Sequence, residues 1–142
     1  MNIFEKAAVT LFCDDIRNEK SEQKTLVGIY GFNFEVIKFP YTFSKLCAYS
    51  QFFYNVEMDV TEFSLRIFKD EELLAEAPAP EKFFDGTKKK NIQEGRPYGA
   101  VFGSAEFVSL EIDGPCTLYA VAQINGVDYD SGRMKIYEKA KK

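Results

Sequence analysis

Apolar and polar residues along this chain are ordered mostly with a two-residue period. Residues 62–69 show it most plainly, with Phe63, Leu65 and Ile67 on one side against Ser64, Arg66 and Phe68 on the other. Successive side chains of a strand point to opposite faces, so this pattern predicts a strand with one buried face. Asp70-Glu71-Glu72 then supplies a polar turn and residues 73–77 a short return strand, a predicted hairpin. Residues 34–39 alternate as well, and Pro40 stops the ladder because it has no N–H to donate. Residues 7–14 and 23–30 are apolar on both parities, which predicts strands covered on both faces, and Val9, Thr10 and Phe12 favour strand over helix. Residues 45–56 form a long aromatic run whose apolar parity shifts at Gln51-Phe52-Phe53, where a bulge or bend is expected. Strands over 105–113, 116–124 and 133–137 complete the set, separated by the turn signals Asp113-Gly114-Pro115 and Asn125-Gly126.

Eight or nine short strands with Gly and Pro turns, and no long helical period, predict an all-β fold. The expected form is a two-layer antiparallel β-sandwich of immunoglobulin-like or C2-like topology. The 142 residues suit one domain, 1–142, with a core large enough to need no staples. Composition agrees: 14 Phe and 8 Tyr, with no Trp, are strand-favouring aromatics. The exception to the regular spacing is 78–103, which contains Lys88-Lys89-Lys90 and Gly95-Arg96-Pro97-Tyr98-Gly99. It reads as a long loop, and such connections are functional or mobile more often than short ones.

Charge and cysteine usage narrow the function classes. A net charge of −4 gives no wide basic footprint, so nucleic acid is not the expected partner. Cys13, Cys47 and Cys116 are odd in number, far apart and set among apolar neighbours. That predicts buried free thiols in a reducing compartment rather than a disulfide framework. The first residues lack the basic start and apolar run of a signal peptide, and no apolar run is long enough to span a bilayer. A cytoplasmic protein without a membrane partner is expected.

Histidine is absent, which removes the usual Ser-His-Asp and Cys-His machinery and imidazole-rich zinc sites. No C-x-x-C pair, Walker-type loop or dinucleotide glycine fingerprint occurs. Cys13 adjoins Asp14 and Asp15, whose charges would raise a thiol pKa. These observations predict no enzyme, no cofactor and no metal.

Two clusters carry candidate chemistry. Asp14, Asp15 and Arg17 read first as a turn that closes the first strand, one Asp bonding locally and the other pairing with Arg17. Their alternative is a Ca²⁺ site completed by Asp59, Asp128 or Asp130, since Ca²⁺ needs six to eight oxygens. Lys88, Lys89, Lys90, Arg96 and Tyr98, close to Phe83 and Phe84, mix basic with aromatic residues. A solvated loop anchored by phenylalanines is the simpler account, and capture of an acidic surface or a phosphate is the functional one.

The segment Leu11-Phe12-Cys13-Asp14-Asp15-Ile16-Arg17, followed by Lys24 and Leu26-Val27-Gly28-Ile29-Tyr30-Gly31 and then by Phe39-Pro40 and Lys45-Leu46, resembles an uncharacterised small-domain family found in bacteria and phages. The resemblance covers about the first third of the chain. It implies a cytosolic prokaryotic or phage setting and transfers no site residue.

The expectation is therefore a non-enzymatic binding or interaction module whose partner is a protein, with homo-oligomerisation available through unblunted sheet edges. Its alternatives are a nucleotide- or host-protein-capturing counter-defence factor that uses the 78–103 loop, and a Ca²⁺-binding C2-like module.

Overall fold

The computed structural model describes residues 6–140. Among them are nine strands and one short helix: β1 (Lys6–Asn18), β2 (Lys24–Ile29), β3 (Asn33–Val36), β4 (Tyr41–Asn55), β5 (Phe63–Lys69), β6 (Glu72–Pro78), α1 (Thr87–Gln93), β7 (Tyr98–Ile112), β8 (Cys116–Ile124) and β9 (Val127–Glu138). The fold is all-β, with a four-stranded sheet ordered β2-β1-β4-β7 and a five-stranded sheet ordered β3-β9-β8-β5-β6.

Period-2 patterning explains how the two sheets share one core. Cys116, Leu118, Ala120, Ala122 and Ile124 of β8 are buried at every second position. Phe63, Leu65 and Ile67 of β5 lie beside them, and Leu46, Ala48, Phe52 and Tyr54 of β4 join the same cluster from the other sheet. Burying each Leu- or Phe-sized side chain contributes roughly 1.5–3 kcal/mol. The Asn125-Gly126 turn has positive φ at both residues, 51° and 79°, as a tight primed hairpin turn requires. The Asn125 side chain also accepts the Thr61 and Glu62 N–H groups, at 2.8 and 3.1 Å.

One polar feature sits inside this core. The pairing of β8 with β9 steps from Ala120↔Gly132 to Val121↔Asp130, so Ser131 is an extra, unpaired residue and its hydroxyl is buried. The Thr10 hydroxyl of β1 lies 2.7 Å from that of Ser131 and 3.0 Å from that of Ser50 on β4. Ser131 donates onward to the Ala120 carbonyl at 3.1 Å. This chain of hydroxyls crosses from one sheet to the other. The backbones approach so closely here that a Cβ on Gly132 would stand 2.3 Å from the Thr10 carbonyl oxygen.

The structure corrects several expectations. The sheets are not wholly antiparallel, because β3 pairs parallel with β9. β3 is laid down as the chain passes from β2 to β4, so that crossing sets its direction and no hairpin does. Asp14, Asp15 and Arg17 form no turn. β1 continues through them to Asn18, and the hairpin closes at residues 19–23, where the Glu19 N–H meets the Gln23 carbonyl at 2.9 Å.

No bulge occurs at Gln51-Phe52-Phe53, since β4 keeps continuous register with both neighbours. The change of face lies nearer the start of β4. Phe43 and Leu46 are both buried, and opposite them Leu110 and Phe107 both pack on the core. The flip therefore crosses Ser44–Lys45 and Val108–Ser109, where Ser109 takes a φ of 56°.

The 78–103 segment is shorter as a loop than expected, for α1 lies within it and β7 begins at Tyr98. Gly99 and Gly103 occupy inward positions of β7 and so hide its alternation. Gly99 is required there, because a Cβ would stand 2.3 Å from the Tyr54 ring.

Gly132→Ala and Gly99→Ala should each destabilise the fold by about 2–3 kcal/mol through forced displacement of packed neighbours. Urea unfolding checks this. A midpoint unchanged in either variant would contradict the close approach at that position.

Candidate functional site: the outer face of the first sheet

Strand register arranges the outward side chains of β1, β4 and β7 in rows. Ala7, Phe53 and Ala100 form one, Val9, Gln51 and Phe102 the next, and Leu11, Tyr49 and Ser104 the third. Cys13, Cys47 and Glu106 follow, and then Lys45 and Val108. The first three rows are mostly apolar and open to solvent: Phe102 is 54% exposed, Val9 44% and Leu11 38%. Tyr49 stacks on Phe102 at 6.3 Å between centroids, and Phe53 meets Phe102 edge-on at 6.2 Å. Tyr98, half exposed, lies at the start of β7 on this parity, opposite Asn55.

The prediction that residues 7–14 and 23–30 are covered on both faces fails over these rows. Ile29 on the edge strand β2 is also exposed. An apolar side chain facing solvent and one facing the core give the same two-residue period, so the sequence pattern could not separate them.

The fourth row is covered. β1 pairs with β4 only through Cys13, and beyond it pairs with β2 alone. Gly28, with φ 67°, lies opposite Asp14, and a Cβ there would stand 2.3 Å from the Asp14 carboxylate. The hairpin bends at this point. Its Glu22, Gln23, Lys24 and Leu26 form the wall of a groove of about 570 Å³ floored by Leu11, Tyr49, Gln51 and Phe102.

The arm also seats on the thiols. Cys13 Sγ donates to the Asp15 carbonyl at 3.5 Å and Cys47 Sγ to the Asp14 carbonyl at 3.8 Å. All three cysteines are free and buried, as expected, with Cys116 alone in the core between the sheets. Burial pushes the Cys13 thiol up to about 11, with neighbouring Cys47 adding to it and Asp14 and Asp15 contributing less. Burial likewise raises Cys47, although the Lys45 charge opposes it.

The acidic residues are engaged locally. Lys45 Nζ donates to Asp15 at 2.7 Å and lies 3.9 Å from Glu106. That hydrogen bond holds the Asp15 carboxyl below its ordinary value. Arg17 stands 3.9 Å from Asp15, the pairing the sequence suggested. The Tyr30 hydroxyl donates to Asp14, and burial together with Asp14 raises the Tyr30 pKa. Asp128 accepts from Gln123 and Asp130 from Arg133, so these residues do not converge on Asp14 and Asp15. Among the described residues no group of three or more Cys, Asp or Glu side chains is placed to hold a metal ion.

The basic cluster is divided. Lys88 and Lys89 line a separate groove of about 430 Å³ with Asp59, Phe84, Gly86, Ile92 and Gln93. Lys90 lies in the last turn of α1, Arg96 pairs with Glu94 at 2.8 Å, and Tyr98 belongs to the face described above. In the sequence Tyr49 stands among the other aromatics of the 45–56 run and as one of eight tyrosines, with nothing to mark its face, and the glycines of β7 conceal the strand that bears Phe102.

The thiols carry a pH consequence. A raised pKa means that the folded state holds the proton more tightly than the unfolded chain. Stability is then complete below the ordinary thiol value of 9.0 and is lost as pH rises through the folded one. Between pH about 9 and about 11 the Tm should fall, and it should fall less in Cys13→Ala. An equal decline in both proteins would remove Cys13 as a cause.

No family model and no curated protein matches this chain.

Proposed function

We propose that this protein is a non-enzymatic β-sandwich, immunoglobulin-like or C2-like, that binds a protein partner through the outer face of its first sheet. The observation that carries this reading is the contiguous uncovered stripe of Val9, Leu11, Tyr49, Phe53 and Phe102. Large aromatic side chains are enriched at protein interfaces, and contiguous apolar surface marks interaction sites more often than scattered apolar residues do. Strands hold the stripe rigidly, so little side-chain order need be lost on binding.

The non-enzymatic reading is supported by the absence of histidine from the sequence and by thiols that burial keeps protonated. A cytoplasmic setting in bacteria or their phages rests on the resemblance of the first third of the chain. Among the described residues no helix is long and apolar enough to cross a membrane.

A second reading has its own observation. Lys88 and Lys89 share a groove with Phe84 and Ile92, which suits capture of a nucleotide phosphate or an acidic host-protein surface.

The two readings separate by mutation. Phe102→Asp should abolish recovery of the partner in cross-linking pull-downs from cells that produce the protein. Its Tm should stay near that of the parent, because the substituted side chain faces solvent. Joint replacement of Lys88, Lys89 and Lys90 by Ser should leave that recovery intact. The reverse pattern, loss with the lysine variant and retention with Phe102→Asp, would move the function to the α1 groove. Light scattering after size exclusion shows whether the partner is a second copy.

A further inference from the structure

Cys13 and Cys47 stand directly opposite each other in the β1–β4 pairing. The Phe12 carbonyl is turned towards β2, where it accepts the Tyr30 N–H at 2.8 Å. The N–H and C=O of the next residue, Cys13, consequently face β4. Cys13 and Cys47 are thus a hydrogen-bonded cross-strand pair, whose Cα atoms lie about 5.5 Å apart, inside the span that a disulfide bridges. Both side chains project onto the outer face, and both are free and buried under the hairpin arm. Cys116 sits on the second sheet, where its strand partner is Ile136 of β9, so no cysteine lies opposite it.

We infer that Cys13 and Cys47 are a disulfide-forming pair, oxidised by a hydroperoxide, and that this bond staples β1 to β4 while releasing the seat of the hairpin arm. Burial raises both thiols, Cys13 to about 11, and at Cys47 alone the Lys45 charge opposes it, so Cys47 is the sulfur that attacks the peroxide once the arm opens and water reaches it. Its S–O bond forms as the O–O bond breaks, one oxygen leaves as water or alcohol, and Cys47 becomes a sulfenic acid. Cys13 then attacks that sulfur, the S–S bond forms, and the hydroxyl leaves with the Cys13 proton as water. The two thiols together lose two electrons and two protons, and the peroxide takes up both electrons.

The product can no longer donate to the Asp14 and Asp15 carbonyls, the contacts at 3.8 and 3.5 Å that each thiol makes with the arm. The arm carries Glu22, Gln23, Lys24 and Leu26, the wall of the outer groove. Oxidation therefore loosens one side of that groove, whatever occupies it. Burial makes the step slow while the arm is seated and ties its rate to opening of the hairpin.

Hydrogen peroxide treatment of the whole folded chain, followed by alkylation and peptide mass mapping, tests this. The expected product is a linked Cys13–Cys47 peptide, present in the parent and in Cys116→Ser, absent from Cys47→Ser, and reversed by dithiothreitol. Amide exchange over residues 15–27 should be faster in the oxidised protein. Tyr30→Phe, which removes the hydroxyl bonded to Asp14, should speed cross-linking by loosening the arm. Sulfinic acid at either residue without a linked peptide would overturn the inference. Native thiols that stay reduced while the urea-unfolded chain cross-links would overturn it too. The linked peptide is read directly in the parent, so the result does not depend on whether the cysteine variants fold.

Discussion

The arrangement depends on the contact between Thr10 and the Ser131–Gly132 step. A hydroxyl placed in an apolar core costs about 1–3 kcal/mol when it has no partner, and here three hydroxyls satisfy one another and end on a backbone carbonyl. Among the described residues no buried side-chain nitrogen or oxygen lacks a partner. The extra residue in β9 turns the Ser131 hydroxyl inward, and Gly132 lets the two backbones meet. A strand slipped by one residue exchanges its two faces entirely. With Thr10 fixed inward, Val9 and Leu11 must point out. With Ser50 fixed inward, so must Tyr49 and Gln51. The aromatic stripe is thus a consequence of the polar contact on the opposite side of the sheet.

The same sheet face is divided into an open and a covered part by a single bend. β1 leaves β4 after Cys13, and Gly28 gives the hairpin the space that the Asp14 carboxylate needs. Lys45 and Asp15 join at the foot of the arm, where both side chains are partly exposed and an ion pair adds little stability by itself. Its geometric effect is larger, because Asp15 is held next to the strand that bears Cys47. The arm then shields the thiol row and leaves the three apolar rows beyond it uncovered. One short hairpin accounts both for the burial of two cysteines on an outer face and for the groove beside Tyr49 and Phe102.

Much of the fold was legible because its strands have one face in the core. Alternation and turn chemistry mark residues 116–124 as a strand, and β8 spans Cys116–Ile124. The β5–β6 hairpin carries the same signals. The start of β7 does not, because Gly99 and Gly103 stand where apolar residues would mark the inward parity. Gly99 is glycine for a tertiary reason, the Tyr54 ring, which no local pattern records. Asp14, Asp15 and Arg17 carry a turn signal in the sequence, because Asp favours turns. They are strand residues here because β2 gives each backbone a ladder partner and Lys45 neutralises the acidic side chain nearest to it.

The candidate site was harder to read than the fold, and the reason is physical. Lys88, Lys89, Lys90 and Arg96 attract attention through charge, yet charge alone places nothing: Arg96 is tied to Glu94, and Lys90 falls in a later turn of α1 than Lys88. Tyr49, Phe53 and Phe102 carry no chemical mark that distinguishes them from core aromatics such as Phe52 and Phe63. Only the register of three strands shows that the first group shares a face with solvent, whereas Phe52 of β4 and Phe63 of β5 stack on each other in the core between the sheets. Register is a long-range property, set where Thr10 meets Ser131 across 121 residues of sequence. A surface created by such long-range pairing is invisible to any local reading, because no nearby residue records which parity meets the other sheet.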